Sequence, residues 1–268
     1  MNHLIKKLLL LAIPLVLAAC TFDSDDDVEP WDAEKVCPAE GTNSYGMPNR
    51  GTFIDERDGE VYRYTTIGDQ VWMAENLRFD APHSMCCDDT DYLKQYCELI
   101  ERNCNTETCC MESMCNRFGR YYSINENGNR FDLVDANLAD TICPKGWHLP
   151  TTDEWKKLKN AMKVDGENGI TAATRMKSSD SNYFVISKQH THSDANMDYG
   201  TDNCALGILP YGHMISEKSF YNTGAYFLSS TQTKADELEV FHIATNTDFF
   251  FQGYRDAIRC VMDSNLPE

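Results

Sequence analysis

Basic residues are scarce in this chain: 24 Lys and Arg stand against 42 Asp and Glu, a formal net charge of −18. Contacts to phosphate need clustered basic side chains, so a nucleic-acid partner is excluded. Electrostatic docking on anionic lipid is excluded for the same reason. A membrane-spanning apolar run is also missing. The longest, Leu8–Ala19, has twelve residues, where a spanning helix needs roughly 20. No internal repeat is visible, which argues against solenoids and propellers. The cysteine-dense stretch lacks the C-x₂-C knuckles of zinc ribbons and holds no His between His83 and Cys115, so its cysteines read as disulfides rather than metal ligands. No nucleophile–base pair or metal constellation stands out, so no catalytic residue and no cofactor is expected.

The N-terminus carries a targeting pattern. Lys6 and Lys7 precede the short apolar run, which ends Leu17-Ala18-Ala19-Cys20. A basic start, a short apolar core and small residues before a cleavage point make a signal peptide over 1–19. The Cys directly after them resembles the lipobox of bacterial lipoproteins, whose thiol takes a diacylglycerol and whose freed amine takes a further chain such as palmitate. Several acyl chains hold a protein stably on a bilayer, so Cys20 is the expected lipidation site and the membrane a partner through that anchor. Residues 20–50 read as a tether: an acidic stretch around Asp23, Asp25, Asp26 and Asp27, then Pro30, Pro38, Gly41, Gly46 and Pro48, too polar to bury itself. Acidic residues just after a lipidated Cys resemble surface-export signals. The expected location is the outer membrane, with the domain exposed at the cell surface; the alternative is a periplasm-facing domain.

Twelve cysteines in an exported chain imply a disulfide framework. Without Cys20 eleven remain, so at least one cannot pair within the chain. Cys86, Cys87, Cys97, Cys104, Cys109, Cys110 and Cys115 crowd residues 83–117, which read as a stapled insertion without a core of its own. Their connectivity is open.

Around this insertion the domain, 51–268, alternates short strand signals with turns. Phe53–Arg57, Val61–Ile67 and Val71–Met73 are separated by Asp58-Gly59 and Gly68-Asp69, favoured turn residues, and predict an antiparallel meander. Thr151 with Glu154 forms a capping box, and Trp155, Leu158, Ala161 and Met162 share one face, predicting a helix over about 152–163. A short strand is predicted over 119–124, a short helix over 133–139 and loop over 164–203. Ala205–Gly212, Tyr226–Thr231, Leu238–Ala244 and Ala257–Val261 read as further strands. The fold class is α+β, loop-rich, with small twisted antiparallel sheets, one or two short helices and disulfide staples.

Several segments occur in a telling order: Val71-Trp72-Met73-Ala74-Glu75-Asn76-Leu77, Phe118-Gly119-Arg120-Tyr121-Tyr122, Cys143-Pro144-Lys145-Gly146-Trp147-His148-Leu149-Pro150, Ala205-Leu206-Gly207-Ile208-Leu209-Pro210-Tyr211-Gly212, Phe227-Leu228-Ser229-Ser230-Thr231 and Ile258-Arg259-Cys260-Val261. Together they resemble the Fibrobacter succinogenes major paralogous domain family over about residues 50–263. The departure is the cysteine-rich stretch 83–117, longer than the loop usual there. The family is similar in motif order to formylglycine-generating-enzyme-like domains, so the resemblance implies a C-type-lectin-like fold. It also implies a Cys143–Cys260 bridge, and it brings no established activity.

Formylglycine-generating oxidases use two reactive cysteines near the C-terminal end of the domain, and here only Cys260 lies in the last sixty residues. The calcium signatures of C-type lectins, E-P-N, Q-P-D and W-N-D, are missing. Asp194, Asn196 and Asp198, with Asp202, are spaced closely enough to hold a cation, though such a cluster is more often a solvated loop. His190 and His192 lack a third ligand. Sugar faces stack on aromatic rings, and Tyr211, Tyr221, Tyr226 and Phe250 are the rings nominated for such a platform, beside Tyr183 and Phe184. Trp72, Trp147 and Trp155 are assigned to the core. The expected function is non-enzymatic: an envelope lipoprotein binding polysaccharide or another envelope protein. The alternatives are a purely structural envelope protein or an oxidase.

Overall fold

The computed structural model describes residues 30–82, 84–86, 114–123, 140–163, 169–179, 200–209, 211–216, 219–221, 224–232, 238–243, 247–251 and 255–264. The elements in chain order are α1 (Ala33–Val36), β1 (Arg50–Ile54), β2 (Val61–Ile67), β3 (Gln70–Met73), α2 (Met114–Phe118), β4 (Trp147–His148), α3 (Thr152–Ala161), α4 (Gly169–Met176), β5 (His213–Ser216), β6 (Ser219–Tyr221), β7 (Ala225–Gln232), β8 (Leu238–Ile243), β9 (Thr247–Phe251) and β10 (Val261–Met262). No described helix is long and apolar enough to cross a membrane.

The predicted meander is present, but its first strand is Arg50–Ile54 rather than Phe53–Arg57, because the turn already begins at Asp55, which pairs with Gly59 and Glu60. β1, β2 and β3 pair antiparallel, and β10 and β4 complete a sheet in the order β1-β2-β3-β10-β4. The first turn needs its glycine: Gly59 has φ +80° and donates its N–H to Asp55 O at 2.8 Å, a backbone shape that L side chains disfavour. Two further antiparallel sheets hold β5-β6 and β7-β8-β9, which gives the α+β class with small sheets.

Alternation along the strands builds a core on both faces. Trp72 faces a cluster with Trp155, Phe227 and Phe241. Its neighbours Val71 and Met73 face a second cluster with Tyr62, Leu77, Tyr122 and Ile258. Period-2 geometry sends successive side chains to opposite faces. The same split recurs on β7, where Phe227 joins the first cluster and Tyr226 and Leu228 the second. The assignment of Trp72, Trp147 and Trp155 to the core holds; none is more than 7% exposed. The ring of Trp155 lies 4.6 Å from Trp72 and 4.7 Å from Phe241, centroid to centroid.

Helix α3 starts as the sequence indicates. The Thr151 side chain accepts from Glu154 N, and the Glu154 side chain accepts from Thr151 N at 2.8 Å. Trp155, Leu158 and Met162 are buried below it, while Ala161 is half-buried.

Four further expectations need correction. Residues 30–50 are not wholly a tether: Cys37 is bonded to Cys204 across 167 residues. Trp31 donates its Nε1–H to Ala161 O at 2.8 Å and lies under the Arg175 guanidinium at 4.4 Å. The region read as loop over 164–203 contains α4, which buries Ala172, Ala173 and Met176. The described residues of the segments 119–124 and 205–212 make isolated bridges, Met85↔Tyr121, Tyr122↔Asp256, Lys177↔Ile208 and Gly212↔Ala225, rather than strands. Finally, only Val261 of the stretch 257–261 lies in a strand; Ala257 makes an isolated bridge to Phe227. The helix predicted over 133–139 lies outside the described residues.

Among the described residues three disulfides staple this framework: Cys37–Cys204, Cys86–Cys115 and Cys143–Cys260. The last is the pairing that the resemblance implies. Its ends are 117 residues apart, and closing a loop of that length stabilises by about 4–5 kcal/mol on the chain-entropy account. Cys86–Cys115 closes the neck of the cysteine-rich insertion. Cys20, Cys87, Cys97, Cys104, Cys109 and Cys110 lie outside the described residues.

Candidate functional site

Five separated segments meet at one polar cavity of about 200 Å³. Ala74, Glu75 and Asn76 come from the stretch after β3. Asn116 and Arg117 come from α2, Gly207 and Leu209 from the loop before β5, Arg259 from the stretch before β10, and Arg63 from β2. Three of these segments belong to the sequence motifs that carry the family resemblance.

Arg259 is the centre of the arrangement. It is 2% exposed. Its Nε donates to Asn76 Oδ1 at 2.8 Å, one terminal nitrogen donates to Leu206 O, and the other to Gly207 O at 3.3 Å. Asn76 in turn donates to Phe118 O at 2.8 Å. One guanidinium and one amide therefore bind four motif segments together. Among the described residues no carboxylate lies within ion-pair distance of Arg259. Burial pushes its pKa down to about 10, while Tyr211 and the nearby Asp202 and Glu75 carboxylates act against that fall. It is charged at neutral pH.

Around it the polar groups are ordered. Asp202 accepts from Gly207 N at 2.7 Å, and burial raises its carboxyl above the usual range, with the Gly207 hydrogen bond and Arg259 opposing. The loop that this bond closes is tightly wound: Asp202, Ala205 and Gly207 all have positive φ. Glu75 accepts from Arg63 N at 2.7 Å and lies 3.5 Å from the Arg63 guanidinium and 3.7 Å from that of Arg78. Arg63, with 63% of its side chain exposed, stands at the rim, while Arg259 lies in the wall. The described lining thus holds three guanidinium groups and one carboxylate. The described lining brings no hydroxyl, thiol or imidazole side chain.

The residues nominated from sequence are elsewhere. Tyr211 and Tyr226 are buried, at 1% and 6% exposure; Tyr211 donates its hydroxyl to Tyr226 O at 2.8 Å and Tyr121 donates its own to Tyr211 O at 2.7 Å. Neither ring offers a free face, so the proposed aromatic platform loses both. Tyr221 is on β6 opposite His213, and Phe250 on β9 opposite Val240. Asp194, Asn196, Asp198, His190, His192, Tyr183 and Phe184 lie outside the described residues. Asp202, grouped with that acidic cluster, is instead tied into the loop beside Arg259. Among the described residues no cluster of His, Cys, Asp and Glu could hold a metal ion. Sequence reasoning passed over Arg63, Glu75, Asn76, Arg117 and Arg259. The signal was present in part: Arg259 interrupts the apolar run Ala257-Ile258-Cys260-Val261, and Glu75-Asn76 interrupts Met73-Ala74-Leu77. A charge inside an apolar motif needs a buried partner or a role.

A second polar group sits at the start of α3. His148 bridges Glu154 and Asp263, with Nε2 2.8 Å from Glu154 Oε1 and Nδ1 2.6 Å from Asp263 Oδ1. The Glu154 hydrogen bond is the largest of the effects that raise the imidazole pKa. This group ties β4, α3 and the end of β10 together at the surface and borders no described cavity.

No curated protein matches the chain, and no solved structure matches it. A family model does: the Fibrobacter succinogenes major domain, over residues 65–262, most of the chain. Every residue of the cavity lining except Arg63 falls inside that span, and the chain belongs to the Fibrobacter succinogenes major domain family.

Proposed function

We propose that this is an exported lipoprotein, acylated at Cys20 and held on the outer membrane, whose domain is a non-enzymatic ligand-binding module of C-type-lectin-like fold facing the cell exterior. The ligand on this reading is a polysaccharide or a component of the envelope. The observation that carries the binding role is the convergence of separated family motifs on a single polar cavity around Arg259. A structural role alone does not require motif residues to leave a space between them. The described lining supplies donors and acceptors but no hydroxyl, thiol or imidazole side chain, which suits holding a polar ligand better than attacking one. Against an oxidase stands the disulfide between Cys260 and Cys143. The lipoprotein part rests on the basic start, the twelve-residue apolar run and Leu17-Ala18-Ala19-Cys20. The fold part rests on small antiparallel sheets stapled by Cys143–Cys260.

Retention of the detergent-solubilised protein on a glycan array and on insoluble polysaccharides tests the binding role. Selective retention is expected; retention on none leaves the purely structural alternative. Labelling cells with palmitate tests the anchor: Cys20→Ala is expected to lose the label and leave the membrane fraction, and a membrane-bound, labelled variant would contradict it.

A further inference from the structure

We infer that the cavity around Arg259 takes a single acidic sugar residue, a hexuronate at a chain end or branch, with the carboxylate seated against the arginines. This inference rests on the binding role proposed above and names its ligand class. Charge comes first. In a chain of net charge −18, the described lining holds Arg63, Arg117 and Arg259 beside one carboxylate, Glu75. That is a local reversal of the molecule's sign. Arg259 is buried, and its three hydrogen bonds go to neutral acceptors: Asn76 Oδ1, Leu206 O and Gly207 O. A guanidinium has five N–H donors, so donors remain beyond these three bonds. A buried charge is costly until an opposite charge is brought to it, and a carboxylate matches the planar fork of a guanidinium.

Size and the remaining lining choose the rest of the ligand. About 200 Å³ suits one compact polar group rather than an extended one. Glu75 and the carbonyls of the lining accept hydrogen bonds from hydroxyls, which a bare inorganic anion lacks. The net charge also favours a terminal residue: a long polyanion would be repelled by the surface over a Debye length of about 8–10 Å at ordinary salt, and a single charge less so.

Calorimetric titration of the detergent-solubilised full-length protein with methyl glucuronide, methyl glucoside and acetate, each alone, tests this. The glucuronide is expected to bind about tenfold or more tightly than the glucoside, as one charged contact implies, and more tightly than acetate. Arg259→Lys keeps the charge but loses the fork and is expected to reduce the preference. Should that variant fail to fold, Arg63→Gln at the exposed rim reads the same preference, with a smaller loss expected. Equal binding of glucuronide and glucoside would overturn the acidic ligand and leave the binding role standing. Acetate binding as tightly as glucuronide would overturn the sugar. Failure of all three, with no retention on any glycan, would overturn both this inference and the binding role.

Discussion

The two polar groups of this domain are built on opposite plans. At the surface, His148 sits between Glu154 and Asp263, and a titratable cation meets a carboxylate at each ring nitrogen. In the interior, Arg259 is held by an amide and two carbonyls, with carboxylates near but not paired. The first group has a carboxylate on each side of its cation and joins three elements, which is what a fastening requires. The second is fastened by neutral groups, keeps its charge, and borders a cavity. A charge held in place by neutral partners remains available to a ligand, and this difference separates a site from a staple.

The comparison breaks most readily at Arg259. Arg259→Met would leave Asn76 Oδ1 and the Leu206 and Gly207 carbonyls unpaired in the interior. A loss of about 3–5 kcal/mol is expected in urea unfolding; a loss below about 1 kcal/mol would mean that the guanidinium does not join the motifs. Gly119→Ala should cost about 2–3 kcal/mol by the same measurement. Gly119 has φ +78°, and an added Cβ would come within 2.6 Å of Asn76 Cβ and 2.8 Å of Leu77 O, displacing the amide that holds Arg259. Thr151→Ala removes the cap of α3 and should cost about 1 kcal/mol.

The surface group gives the smallest effect and the one with a pH signature. His148 is raised, first by the Glu154 hydrogen bond. Its contribution is complete below the unfolded value of about 6.5 and is lost as pH rises through the raised folded value. Glu154 is lowered: burial pushes it up, but the bonds from His148 and Thr151 outweigh that. Its contribution is present above the unfolded value of about 4.5 and fades as pH falls through the lowered folded value. The group is therefore strongest at about pH 4.5–6.5. About a third of the imidazole is exposed, so solvent screening keeps the contribution to about 0.5–1 kcal/mol. His148→Gln compared with the parent by urea unfolding from pH 5 to pH 9 should show a difference that shrinks as pH rises; a constant difference would mean that the imidazole acts through packing.

What could be read from the sequence was what depends on neighbours along the chain. The β1–β2 turn at Asp58-Gly59, the Thr151–Glu154 capping box and the alternation of Val71, Trp72 and Met73 are local patterns, and the structure follows them. The disulfide of Cys143 came through the resemblance. The misreadings share a cause. Trp31 and Cys37 lie in a Pro- and Gly-rich stretch, and their partners Ala161, Arg175 and Cys204 are more than a hundred residues away. Helix α4 starts at Gly169 in a polar region and is held by burial of Ala172, Ala173 and Met176, a tertiary effect that local propensity does not carry. The site was legible only as an anomaly: Arg259 and Asn76 stood out inside apolar motifs, but their meeting depends on segments 183 residues apart.

The most direct test of the site is the side-chain NMR signal of Arg259. Its Nε–Hε resonance, assigned by its loss in Arg259→Lys, should move saturably as methyl glucuronide is added, together with the Asn76 amide. An unmoved Arg259 resonance in the presence of a bound sugar would place the ligand elsewhere and reduce the cavity to part of the staple.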